Sequence, residues 1–130
     1  MGIPRILIVD DEADMRRLFN KNLSVKIECE VIEVTNGYEA IEHLQKGGID
    51  LILLDIKMPG ISGREVIQKA REFSQETIII VITKYDSPQF AQELKAFNAD
   101  YIPKPASLKL LRDKVEEKLK VIGKLTFKQI

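Results

Sequence analysis

Five short runs of Ile, Val and Leu constrain this chain more than any other feature of its sequence. They fall at residues 5–9, 30–34, 51–54, 77–82 and 99–102. Runs that are β-branched or apolar nearly throughout fit strands covered on both faces, as in a parallel sheet. Between them the apolar period becomes helical. Met15, Leu18, Phe19 and Leu23 form one stripe, Ala40, Ile41 and Leu44 a second, and Val66, Ile67, Ala70 and Phe73 a third. Phe90, Leu94 and Phe97 make a fourth, and Leu108, Leu111, Val115 and Leu119 a fifth, over a helix expected at 109–120. The boundaries carry matching signals. Ser62 and Glu65 read as a capping box, Ser87-Pro88 as an N-cap with proline at the first helical position, and Gly47-Gly48 as a helix stop. A fivefold β-α alternation predicts one α/β domain with right-handed crossovers.

At 130 residues the chain holds one such domain. It should bury roughly two-thirds of its unfolded surface without metal or disulfide staples. Twenty basic residues balance twenty acidic ones, which argues against a broadly basic surface for nucleic acid. The balance is uneven: residues 104–130 carry eight Lys/Arg against three Asp/Glu. That excess reads first as a solvated helical face, the sharper alternative being a docking surface for an acidic partner. The single cysteine, Cys29, cannot form an internal disulfide and reads as a small buried hydrophobe. The longest apolar stretch, residues 78–82, is too short to span a bilayer, and Asp10-Asp11 interrupts the one early apolar run. The expectation is a cytoplasmic protein with no membrane insertion.

In an open parallel sheet the site lies beyond the carboxyl ends of the strands. Asp10 and Asp11 follow the first predicted strand, Asp55 the third, Thr83 the fourth and Lys104 the fifth, while the second ends in an unremarkable Thr35-Asn36-Gly37. Taken singly, each has a bland reading as a cap, a turn residue or a solvated charge. Together, three carboxylates on one sheet edge repel one another, and a cation is the simplest way to keep them ionised. All-oxygen ligands suit Mg²⁺, with Mn²⁺ as an alternative. A lysine and a hydroxyl on the same rim suit an oxyanion. The chemistry assembled is phosphoryl transfer to a carboxylate, giving an aspartyl phosphate.

Four stretches in this order carry a resemblance: residues 6–12 (Ile-Leu-Ile-Val-Asp-Asp-Glu), residues 53–60 (Leu-Leu-Asp-Ile-Lys-Met-Pro-Gly), residues 81–83 (Val-Ile-Thr) and residues 99–105 (Ala-Asp-Tyr-Ile-Pro-Lys-Pro). The chain resembles the response-regulator receiver domains, the CheY-like family of two-component signalling. The resemblance implies a doubly wound (βα)5 domain over residues 1–121 with flavodoxin-like strand order 2-1-3-4-5, followed by a tail at 122–130. It implies Asp55 as phosphoacceptor, Mg²⁺ held by Asp10, Asp11, Asp55 and the Lys57 backbone carbonyl, Lys104 paired with the phosphoryl group, and a cis bond between Lys104 and Pro105. Thr83 and Tyr101 would be the switch pair. The implied donor is a sensor histidine kinase or a histidine phosphotransfer protein. The output surface would be helix 4, strand 5 and helix 5, on a monomer or weak dimer without direct nucleic-acid binding.

Two positions depart from the family pattern. Lys84 replaces a usually small residue after the switch hydroxyl, and either hinders access or adds a phosphate contact. Ala106 replaces a common Phe and removes packing under the fifth helix. Lys57 and Tyr85, two beyond the acceptor and two beyond the hydroxyl, border the path of a hydrolytic water. Neither can orient that water as a carboxylate or amide would, so self-dephosphorylation is expected to be slow. Two readings compete with this one. A pseudo-receiver would keep the fold as an interaction module without phosphorylation; the complete acidic, hydroxyl and lysine set argues against it, while Lys84 favours it. An aspartate-nucleophile phosphohydrolase would want a second acid two residues after Asp55, where this chain has Lys57.

Overall fold

The computed structural model describes residues 2–57, 60–84 and 87–129. The chain alternates β1 (Arg5–Val9), α1 (Ala13–Ser24), β2 (Glu30–Val34), α2 (Gly37–Lys46), β3 (Leu51–Asp55), α3 (Gly63–Phe73), β4 (Ile78–Thr83), α4 (Pro88–Ala96), β5 (Ala99–Pro103) and α5 (Leu108–Val121). All five strands run parallel in the order β2-β1-β3-β4-β5, as the resemblance implies.

Side-chain alternation divides the core into two layers. Leu7, Val9, Ile52, Leu54, Ile79 and Val81 face α2, α3 and α4. Ile6, Ile8, Leu51, Leu53, Ile80 and Ile82 face α1 and α5, meeting Phe19, Leu23, Leu111, Val115 and Leu119. Each such side chain, fully buried, contributes about 1.5–3 kcal/mol. Coverage on both faces holds for the central strands; the edge strands β2 and β5 keep part of their surface exposed. Leu18 and Phe73, read as core positions from their spacing, stay 42% and 41% exposed, because they lie at the margins of their helices' buried stripes.

The helix ends behave as their sequences suggest. Ser62 and Ser87 accept hydrogen bonds from the Glu65 and Phe90 amides at 3.2 and 3.1 Å. Asn36 caps α2 in the same way, accepting from the Glu39 amide at 3.0 Å. Gly47 closes α2 at φ +83°, in the region that favours glycine.

At the end of the sheet away from the acidic residues, Arg71 is 8% exposed. It donates to the carbonyls of Phe97, Ser74, Thr77 and Asn98, tying the end of α3 to the starts of β4 and β5. Residues beyond α5 fold back on the α1–β2 connection. The Glu28 amide donates to the Thr126 carbonyl and the Lys128 amide to the Lys26 carbonyl, each at 2.8 Å, and Leu125 packs against the core. Cys29 is half-buried, and burial pushes its thiol pKa up, which suits a packing role.

Candidate functional site

The strand order reverses at β1 and β3, and the crevice above their carboxyl ends is where an open α/β sheet binds ligands. Asp10 follows β1 directly and Asp55 ends β3. One carboxylate oxygen from each of Asp10, Asp11 and Asp55 lies within 4.8 Å of the others. Asp10 and Asp55 are 4% and 3% exposed, while Asp11 faces solvent. Register with β4 and β5 completes the rim. Thr83, buried at the end of β4, pairs with Pro103, and its carbonyl accepts the Lys104 amide at 2.9 Å. That pairing swings the Lys104 side chain over the crevice, where Nζ donates to Asp55 Oδ1 at 2.9 Å. The Lys57 amide donates to the same oxygen at 3.1 Å. The Lys104–Pro105 bond is cis.

Local packing explains why Asp55 is held this way. Gly63 starts α3 against the loop that follows the acceptor; a Cβ there would come within 2.8 Å of the Ile56 Cα. The Ile56 amide donates to the Ile82 carbonyl at 3.3 Å, so the chain just past Asp55 is pinned to β4. Asp10 is fixed as firmly. Its amide donates to the Val34 carbonyl at 3.2 Å, and its Oδ1 accepts from the Glu12 amide at 2.9 Å. Glu12 stands at the N-cap of α1 without a side-chain cap bond. The aspartate two residues earlier satisfies its amide instead, so the acidic turn also starts the helix.

Burial pushes the Asp10 carboxyl up from an ordinary 3.8 to about 6. The charges of Asp55 and Asp11 add to that rise, against the Glu12 amide and Lys104. Three converging carboxylates, two of them buried, are the donor set that a hard divalent cation satisfies; among the described residues this is the one acidic group close enough to hold a metal.

A cavity of about 340 Å³ opens over Asp55. Lys57, Lys84 and Lys104 line its mouth with Asp11 and Glu12, so the rim of an acidic crevice is basic. A neighbouring cavity of about 420 Å³ shares Glu12, Lys84 and Lys104 and runs to Met15, Phe19 and Ala106. Ala106 itself packs half-buried against the core. Tyr101, on β5, is 38% exposed and lines neither cavity. Tyr85 lies outside the described residues, as do Met58 and Pro59 of the stretch after the acceptor. The structure thus gathers Asp10, Asp11, Asp55 and Lys104, with Lys57 and Lys84 at the rim.

The basic excess of the C-terminal segment is partly cancelled within the fold. Lys114 and Lys118 approach the Asp100 carboxylate at 3.0 and 3.4 Å, and Lys124 reaches Asp50 at 2.8 Å. Burial alone would raise the Asp100 pKa, but the Lys114 hydrogen bond, the Tyr101 amide and the nearby lysines hold it below the usual value.

Comparison with known proteins bears on the family and the fold. The family model described as "Response regulator receiver domain" matches residues 6–116. Sporulation initiation phosphotransferase F of Bacillus subtilis is 32% identical over 116 residues, covering 88% of this chain and 93% of that protein. Transcriptional regulatory protein ResD of Bacillus subtilis is 41% identical over 103 residues, 79% of this chain and 42% of that protein. The chain spans about half or less of the length of several curated relatives it matches. Among solved structures, a CheY-like receiver domain protein from Methanospirillum hungatei superposes with a TM-score of 0.85 at 30% identity, over 95% of this chain and 98% of that one.

Proposed function

The chain belongs to the response-regulator receiver domain family, and we propose that within it Asp55 accepts a phosphoryl group from a phosphohistidine. The supporting observation is the setting of Asp55: 3% exposed, its Oδ1 held by Lys104, and a second and third carboxylate within 4.8 Å. Receiver domains are signalling phosphoacceptors rather than classical enzymes. The acceptor therefore ends the reaction as an acyl phosphate, a mixed anhydride carried on the protein itself.

In the transfer, an Asp55 oxygen forms the new O–P bond as the donor's N–P bond breaks, and the electron pair returns to the imidazole. Asp10, Asp11, Asp55 and the Lys57 carbonyl would hold Mg²⁺, which supplies charge neutralisation on the phosphoryl oxygens. Lys104, freed from Asp55 as the carboxylate charge moves outward, follows the negative charge onto a phosphoryl oxygen. The Lys57 amide, already aimed at Asp55, keeps the acceptor from rotating. The Thr83 hydroxyl moves toward the phosphoryl group, and Tyr101, exposed in this structure, turns inward behind it. That motion changes the surface of α4, β5 and α5, where a downstream protein docks.

The basic rim of Lys57, Lys84 and Lys104 favours the approach of an anionic donor. Lys57, Lys84 and Tyr85 set how long the phosphoryl group lasts. The donor is a histidine kinase or a histidine phosphotransfer protein, and the working compartment is the cytoplasm, as membership of the family favours. The test is labelling by acetyl phosphate and binding of beryllofluoride. Both should require Mg²⁺ and an intact Asp55; an Asp55→Asn protein that is labelled as well as wild type refutes the assignment.

A further inference from the structure

Arg16, four residues into α1, looks in sequence like one of the polar residues on a solvated helix face. In the structure its side chain is 14% exposed, unusual for a residue type seldom buried without a partner. Its Nη1 donates to the Asp10 carbonyl at 2.7 Å. Its Nε lies 3.5 Å from Glu33 Oε1 on β2 and makes no hydrogen bond. The other Glu33 oxygen accepts from Asn20 at 2.9 Å. The plain reading is a brace between α1 and β2, but the Asn20–Glu33 bond already supplies one. The short, charge-assisted bond of Arg16 goes elsewhere, to the peptide group joining Asp10 to Asp11.

That peptide group sets the angle between two carboxylates that must converge. Its flanking groups are already fixed: the Asp10 amide on Val34, and Asp10 Oδ1 on the Glu12 amide. The carbonyl bond to Arg16 removes the remaining freedom, rotation of the Asp10–Asp11 peptide, which would swing the exposed Asp11 carboxylate away. Octahedral Mg²⁺ tolerates little displacement of its ligands. Glu33 lies beside the guanidinium, so its positive charge is offset and does not repel a cation.

We infer that Arg16 is a positioning residue for the divalent cation, fixing the Asp10–Asp11 peptide while touching neither cation nor phosphoryl group. The inference rests on the reading of the acidic cluster as a cation site, and deepens it. Groups that orient metal ligands typically alter affinity by about 10–100-fold when removed.

The test is a Mg²⁺ titration of wild type, Arg16→Met and Arg16→Lys. It is followed by the NMR shifts of the Glu12 and Lys57 amides, which donate to Asp10 and Asp55. Arg16→Met should weaken Mg²⁺ by about tenfold while the metal-free melting temperature changes little. Arg16→Lys, which keeps a donor for the carbonyl, should fall between the two. Acetyl phosphate labelling of Arg16→Met should need correspondingly more Mg²⁺ yet reach the wild-type rate at saturation. Tighter Mg²⁺ binding in Arg16→Met would make Arg16 a mere repelling charge and overturn the inference. So would unchanged affinity, with or without a loss of metal-free stability, since that is a structural brace. If Arg16→Met fails to fold, Arg16→Lys carries the test: affinity equal to or tighter than wild type overturns the inference. A wild type that shows no Mg²⁺ response sinks the cation site itself, which is a separate result.

Discussion

Neutralising Asp10 separates the stability of the fold from the demands of the site. The carboxyl is 4% exposed, and its pKa rises from 3.8 to about 6, by burial first and then by Asp55 and Asp11. An acid whose pKa is higher in the folded state binds its proton more tightly there. As pH climbs from about 4 to about 6 the unfolded chain releases that proton first, so this group's contribution to stability falls with pH. Below that window the contribution is neutral, and above it the full penalty is in place. A rise of about 2 units, at about 1.4 kcal/mol each, makes the penalty about 3 kcal/mol.

Asp10→Asn removes the ionisation and keeps an oxygen for the Glu12 amide. In EDTA at about pH 7 the variant should be more stable than wild type by up to about 3 kcal/mol, or roughly 10 °C in Tm for a chain of this length. The gain shrinks by about 1 kcal/mol or more if the new NH₂ group finds no partner. The comparison is best made as a difference, wild type minus variant, from thermal melts by circular dichroism between about pH 4 and pH 7. The difference should vanish at the acid end and grow through the window. Adding Mg²⁺ should stabilise wild type by mass action and the variant far less. A metal-free Asp10→Asn protein no more stable than wild type at neutral pH, with a flat difference curve, would refute the idea that ionising the buried Asp10 carboxyl costs the metal-free fold stability.

Arg71→Leu should cost about 3 kcal/mol or more, since four carbonyls lose a charged donor at once; urea unfolding measures it, and Mg²⁺ affinity should not change. Gly63→Ala should destabilise by about 1–3 kcal/mol and slow acetyl phosphate labelling, because the new Cβ displaces Ile56 beside the acceptor. Asp100→Asn should cost about 1 kcal/mol above the carboxylate range and nothing at low pH: its folded pKa is depressed, so its stabilisation is lost as pH falls. Tyr85→Glu should shorten the phosphoryl lifetime, and roughly tenfold needs only about 1.4 kcal/mol off the barrier. A lifetime of seconds in wild type, unchanged by substitutions at Lys57 and Tyr85, would show that shielding does not set the rate.

The parts of this molecule that the sequence makes legible are those whose physics repeats. β1, β3 and β4 are buried on both faces, so each writes itself as an unbroken apolar run. The residues that end them then fall on one sheet edge by topology alone, which is why Asp10, Asp55 and Thr83 are found together from spacing. Asn36 was within reach as well: Asn36-Gly37-Tyr38-Glu39 has the cap spacing of Ser62 to Glu65. The arginines are a different matter. Arg16 and Arg17 are adjacent and chemically identical, yet Arg17 is 70% exposed in a surface pair with Asp14 while Arg16 is 14% exposed on the Asp10 carbonyl. Only the rotation of about 100° between neighbours on a helix separates them. Which of the two faces inward depends on the docking of α1 against β2, not on residue type. Arg71 is hidden for the same reason, since its partners are backbone carbonyls, which carry no side-chain signature. A backbone-directed side chain becomes visible only once the fold fixes which peptide groups lie within its reach.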